Sequence, residues 1–129
     1  IMTGTYALSA GYQDKYYKRA EAVRNIIRND LEKAFTKVDA IIGPTTPSTA
    51  LEIGSTDGNP LFGEIADVLI EASTLSGSPG ISIPVGFDKN NLPIGMNIFA
   101  PRLAEQTVLN LAYTYQKSTT WHTMKPDNY

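Results

Sequence analysis

The chain has no cysteine, one histidine and one tryptophan among its 129 residues. Without cysteine there is no disulfide, no thiolate metal site and no cysteine nucleophile, and the composition fits a reducing compartment; a cytoplasmic location is the expectation. The lone histidine, His122, has no partner type with which to build a zinc site, and it reads as a surface residue. No run of about 18 apolar residues occurs, so no membrane-spanning helix is expected, and the first residues lack the basic and apolar regions of a signal peptide. Charge of one sign is also missing. The 11 Lys and Arg against 13 Asp and Glu give a formal net charge of −2, without the cationic excess of a protein that binds nucleic acid unaided.

What is present suffices for one globular domain: an apolar share of 42% at this length can bury a core. The chain opens Ile1-Met2-Thr3-Gly4-Thr5 with no preceding methionine, which suggests a portion of a longer polypeptide. Tyr16, Ala20, Val23, Ile27, Leu31 and Ala34 recur at helical spacing and predict an amphipathic helix over about 12–37. Its charged face, with Lys18, Arg24, Arg28 and Glu32 among others, reads as a solvated face, the alternative being a docking surface for a partner subunit or tRNA phosphate. Val38-Asp39-Ala40-Ile41-Ile42, closed by Gly43-Pro44, predicts a buried strand. Residues 48–59 are rich in Ser, Thr, Gly, Asp and Asn and predict an irregular surface excursion. Pro60 suits a helix start, and Leu61, Ile65, Val68 or Leu69, Ala72 and Leu75 continue at helical spacing until Gly77 and Pro79.

Residues 80–86 alternate isoleucine with serine and proline, which predicts a strand with Pro84 at an edge or bulge. A turn at 87–91 and a strand over 93–100 complete an antiparallel hairpin. A last helix begins at Leu103, and the tail from Ser118 is loosely specified. The order helix, strand, helix, strand, strand, helix predicts an α/β layer arrangement with a mixed sheet flanked by helices.

Two stretches imitate catalytic motifs without their mechanics. Ser73-Thr74-Leu75-Ser76-Gly77-Ser78 has no glycine two residues ahead of Ser76 or Ser78, so it is no Gly-x-Ser-x-Gly nucleophile elbow and reads as a helix C-terminus. The glycines at 77, 80 and 86 do not form a Gly-x-Gly-x-x-Gly phosphate loop. Gly43-Pro44-Thr45-Thr46-Pro47 has a stronger claim, because it follows a strand end, where open α/β sheets place ligand loops. The plain reading is a rigid turn whose threonine hydroxyls bond the local backbone.

Gly4-Thr5-Tyr6-Ala7-Leu8-Ser9-Ala10-Gly11-Tyr12, with Asp14, Tyr16-Tyr17, Ala20 and Val23-Arg24, resembles the A-subunit family of the glutamyl-tRNA(Gln) amidotransferases, a branch of the amidase-signature enzymes. The resemblance continues through Gly43 to Pro47, Asp67, Gly77-Ser78-Pro79-Gly80-Ile81-Ser82-Ile83-Pro84 and Leu92-Pro93-Ile94-Gly95, and ends near Trp121-His122. It implies that residues 1–129 are the C-terminal portion of a single amidase domain of the α/β/α layered signature fold. The activity implied is release of ammonia from glutamine, which a second subunit uses, with ATP, to convert Glu-tRNA(Gln) into Gln-tRNA(Gln).

The family's nucleophilic serine, its second serine and its lysine have no counterpart in these residues, and no Gly-Gly-Ser-Ser-Gly-type segment occurs. The resemblance therefore implies no catalytic residue here and no activity of the chain alone. Substrate contacts are implied instead. Asp67 matches the aspartate that pairs with the α-amino group of glutamine, and Thr45 and Thr46 lie on the loop near the active site; an arginine that holds the glutamine carboxylate would immediately precede Ile1. Helical spacing puts Asp67 at the border of an apolar face, where the plain reading is a solvated carboxylate. The chain departs from the family at Glu71-Ala72-Ser73-Thr74, where a proline and an asparagine are usual. No cofactor is expected in this chain, with ATP and magnesium at a partner subunit. Partners implied are the other amidotransferase subunits, glutamine and, through the complex, Glu-tRNA(Gln); a portion of a domain should also self-associate. Two alternatives stay open: a general amide hydrolase of the signature family, and a non-catalytic subunit-interaction module.

Overall fold

The computed structural model describes residues 2–7, 16–55, 58 and 62–125. A short helix α1 (Met2–Ala7), which no sequence pattern predicted, is followed by the long helix α2 (Lys18–Phe35) and strand β1 (Ile41–Pro44). Two short helices come next, α3 (Phe62–Asp67) and α4 (Glu71–Ser76), then the hairpin of β2 (Gly80–Phe87) and β3 (Pro93–Phe99) and helix α5 (Glu105–Ser118). A 3-10 turn at Trp121–Thr123 packs back on β2, with the Trp121 and Phe87 rings edge to face at 6.3 Å.

The sheet has three strands in the order β1-β3-β2, and both pairings are antiparallel. The expected mixed sheet is thus corrected to an antiparallel one among the described residues. Successive strand residues point to opposite faces, so β3 serves two layers at once. Met96 and Ile98 join Ile81, Ile83 and Val85 on one face, where Ala112 and Tyr115 of α5 close the core. Ile98 is only 1% exposed. On the other face Phe99 meets Phe35 of α2 edge to face, ring centroids 6.1 Å apart. Helices therefore lie on both sides of the sheet, as the α/β reading requires.

Several boundaries move. The helix expected at 12–37 is found at Lys18–Phe35, and residues 12–15 lie outside the described ones. Its apolar stripe is covered only in its second half: Ile27, Leu31 and Ala34 are half-buried, whereas Tyr16, Ala20 and Val23 are exposed. The strand expected to be buried at 38–42 starts at Ile41, because a turn closing α2 (Thr36 and Lys37 N–H to the Lys33 and Ala34 carbonyls) uses up the preceding residues. It is an edge strand, with Ile42 56% exposed. The single helix expected from Pro60 to Leu75 is broken by a turn at Val68–Ile70 into α3 and α4; Pro60 and Leu61 are outside the described residues. Leu103 does not begin α5, since its φ of +65° is left-handed and cannot enter a helix.

Other expectations hold. Gly77 terminates α4 with φ +73°, its N–H bonding the Thr74 carbonyl while the Ser78 N–H reaches the Ser73 carbonyl, the paired closure of a glycine-ended helix. Pro84 sits both on an edge strand and at a register shift between Pro84 and Gly86, where its missing N–H costs no ladder bond.

The hairpin loop is organised by Asp88. Its Oδ1 accepts the backbone N–H groups of Asn90 (2.8 Å) and Leu92 (2.9 Å), and its Oδ2 accepts the Thr49 hydroxyl at 2.7 Å. The Leu92 N–H, and after it the Thr49 hydroxyl, hold the Asp88 carboxyl below its ordinary value of 3.8. A carboxyl whose folded value is depressed adds stability above its unfolded value, and that stability drains away as pH falls through the folded value. Wild-type protein should therefore lose thermal stability below about pH 4 more steeply than Asp88→Asn, which keeps an acceptor oxygen but no charge. Melting curves at stepped pH test this; parallel acid limbs for the two proteins would contradict it.

Candidate functional site

The threonine loop that follows β1 is fixed to the sheet by two hydrogen bonds of Thr45. Gly95 in β3 lends its carbonyl to the Thr45 N–H at 3.0 Å. The Thr45 and Ser82 hydroxyls are hydrogen-bonded at 2.6 Å, which ties the loop to β2 across the central strand. Farther on, Thr46 donates its hydroxyl to the Ser48 carbonyl at 2.7 Å and Thr49 donates to Asp88 at 2.7 Å. Thr46 thus does what a rigid turn predicts, bonding its own backbone, whereas Thr45 spends its hydroxyl on a distant strand.

That crossing is possible because residue 95 has no side chain. A Cβ at Gly95 would lie 2.8 Å from Thr45 Oγ1, 3.1 Å from Ser82 Oγ and 3.2 Å from Thr45 Cβ, all inside ordinary van der Waals contact. The surrounding face is correspondingly small and polar. Ser82, Asn97 and Gly43 are in register across the three strands, and Asn97 is buried.

Two clefts open beside this loop. One of about 260 Å³ runs between Pro44, Thr46, Pro47 and the start of β3 at Ile94 and Gly95. A second, of about 380 Å³, has Thr46, Ser48 and Thr49 on one side and Ala66 of α3 on the other. The structure therefore brings the loop and α3 together across open space. Asp67, the last residue of α3, is exposed and lines a neighbouring groove of about 330 Å³ with Ile70, Glu71, Thr74 and Leu75. Thr46 lines both clefts beside the loop and Asp67 lines neither of them, so the structure does not bring these two side chains to one space; Thr45 lies against the sheet.

The serine-rich stretch is a helix C-terminus as expected. Ser76 is buried, and its Oγ lies 3.0 Å from the Ser73 carbonyl and 2.9 Å from Ser78 Oγ. His122 is exposed. Among the described residues no group of three or more His, Asp or Glu is placed to hold a metal ion, and no helix is long and apolar enough to cross a membrane. Sequence reasoning missed Ser82, Gly95 and the Asp88–Thr49 bond. A glycine inside a strand pattern is a known sign of close backbone approach, so Gly95 was legible in principle.

A three-stranded sheet covered by helices on both faces thus carries a proline-bounded threonine loop on its polar side. Residues 1–109 match the family described as Amidase, and the chain belongs to that family. Among curated proteins it is 49% identical over 126 residues to the A subunit of the glutamyl-tRNA(Gln) amidotransferase of Thermodesulfovibrio yellowstonii, covering 98% of this chain and 26% of the relative. A crystal structure of the corresponding A subunit from Thermotoga maritima superposes with a TM-score of 0.78 at 37% identity, over 92% of this chain and 26% of that one. The structure of 6-aminohexanoate cyclic dimer hydrolase shares the fold at a TM-score of 0.75 but only 21% identity. The chain spans about a quarter of the length of the relatives it matches.

The steric reading of Gly95 gives a direct test. Gly95→Ala should lower stability by about 1–3 kcal/mol through overpacking, and part of that loss should vanish in a Thr45→Ala background, where the hydroxyl at 2.8 Å is gone while the residue-45 Cβ and Ser82 Oγ remain. Denaturant midpoints of the four proteins of this double-mutant cycle measure it. Equal losses in both backgrounds would show that the contact with the Thr45 hydroxyl is not the cause.

Proposed function

We propose that residues 1–129 are the C-terminal portion of a single amidase domain in the glutamine-hydrolysing subunit of a tRNA-dependent amidotransferase, which supplies ammonia to convert Glu-tRNA(Gln) into Gln-tRNA(Gln). The observation that carries this reading is the contrast in identity at nearly constant fold: 49% and 37% to glutamyl-tRNA(Gln) amidotransferase A subunits against 21% to an amide hydrolase of similar shape. In this reading the partners are the other amidotransferase subunits and, through them, Glu-tRNA(Gln). ATP and magnesium belong to a partner subunit, and the complex works in the cytoplasm.

The chain's own residues then form a wall of the glutamine pocket. A serine nucleophile needs a positioned base, and this stretch supplies neither, so its contribution is to binding. Asp67, exposed at the end of α3, offers its carboxylate to the ammonium group of glutamine. The Thr45-Thr46 loop, seated on the sheet by the Gly95 carbonyl and the Ser82 hydroxyl, forms the facing side without needing to be ordered by substrate. The large apolar side chains left exposed on α2, on α3 and in the turn after it, Val23, Ile26, Ile65 and Val68 among them, support burial against other parts of the complex. The isolated chain would then self-associate through them.

The test compares nitrogen sources. A charge-assisted bond of this kind contributes about 1.5–3 kcal/mol, so Asp67→Ala in the complete amidotransferase should raise the glutamine requirement by roughly tenfold to a hundredfold and leave use of free ammonia nearly unchanged. Equal damage to both sources, or none to either, would remove Asp67 from the pocket. Studied alone, the chain should release no ammonia from glutamine and should sediment above its monomer mass; turnover above a heat-treated control, or a clean monomer at high concentration, would count against the reading.

A further inference from the structure

A separate cavity of about 200 Å³ lies away from the threonine loop, between the second half of α2 and the segment joining β3 to α5. Arg28, Leu31, Glu32 and Phe35 of α2 form one wall, and Pro101 and Arg102 form part of the other. Two guanidinium groups thus border one small space. Among the described residues neither has a carboxylate within ion-pair distance. The Nε of Arg28 is closed to solvent and has no hydrogen-bond partner among the described residues.

Two cations bordering one partly desolvated space favour an anion there, and the planar fork of arginine matches the two oxygens of a carboxylate. The remaining lining, which also includes Thr36, Ser76 and Ser78, narrows the kind of anion. Leu31, Phe35 and Pro101 offer apolar surface to the body of a ligand, while the Glu32 carboxylate on the same wall repels a second negative charge. We propose that this cavity binds an apolar monocarboxylate, its carboxylate held between Arg28 and Arg102 and its hydrocarbon part against Leu31, Phe35 and Pro101. The site is distinct from the clefts beside Thr46 and from the groove at Asp67, and it stands whether or not the chain hydrolyses glutamine.

Benzoate is a suitable probe, with benzamide as its neutral isostere and inorganic phosphate as a compact anion lacking an apolar body. Calorimetric titration into the intact protein should show saturable benzoate binding, weakened by about tenfold or more in Arg102→Ala and in Arg28→Lys. The exposed Arg19→Ala on α2 should bind as the wild type does. Arg102 is exposed, so its replacement leaves the fold intact even if a change at Arg28 does not; melting temperatures of all variants confirm that. Benzamide and phosphate should each bind about tenfold or more weakly than benzoate. Absence of saturable benzoate binding overturns the proposal. So does benzamide binding as well as benzoate, which would mark a merely apolar groove, or phosphate binding as well, which would mark a site for charge alone. Equal weakening by Arg19→Ala would reduce the effect to general surface charge.

Discussion

Strand β3 is the part on which the rest depends, because it is hydrogen-bonded on both sides and packed on both faces. Its even-numbered residues Met96 and Ile98 belong to the core under α5. Its odd-numbered residues serve the opposite layer: Phe99 meets α2, Asn97 lies in register with Ser82 and Gly43, and Gly95 lies directly under Thr45. A shift of one residue in its pairing would exchange these two sets. It would place Ile94 or Met96 under the threonine loop and turn Asn97 toward the core beneath α5, so core stability and loop placement are consequences of one register.

The loop inherits its rigidity from that register. Pro44 and Pro47 limit its backbone, and the Thr45 hydroxyl, the Thr45 N–H and the Thr49 hydroxyl each bond a different part of the hairpin: Ser82 in β2, Gly95 in β3 and Asp88 in the turn. The hairpin is consequently the floor of the candidate site, although none of its residues has to touch a ligand. Rigid side walls of this kind lower the ordering cost of binding.

Much of this was legible in the residues. Isoleucine alternating with serine at 81–83 located β2 and assigned its faces, and Gly77 marked a helix end that the left-handed φ confirms. The failures share a cause. Helical spacing from Leu61 to Leu75 says that apolar residues recur, but not that the backbone stays continuous, and a turn at 68–70 interrupts it. The β-branched run at 38–42 signals an extended, apolar segment without revealing which residues the turn after α2 takes up. Thr45 was singled out for its loop, but its partner Ser82 lies 37 positions away, and no local pattern carries a pairing of that separation. Only the glycine at 95, standing inside a strand, hinted that another part of the chain came close.

The distribution of apolar side chains bears on how the chain is used. The described core is small, made of Ile83, Ile98, Phe99, Ala100, Val108 and Ala112, whereas Val23 and Ile26 on α2 and Ile65 and Val68 around α3 stand exposed. Periodicity on α2 is real, yet its stripe is covered only where Phe35, Leu31 and Ile27 approach the sheet and α4. A helix keeps an apolar stripe along its length when something packs along its length, and a domain that met nothing else would gain from polar residues at Val23 and Ile26. The chain spans about a quarter of its relatives' length, and the exposed apolar side chains Val23 and Ile26 on α2 form a surface of the kind that another protein segment covers.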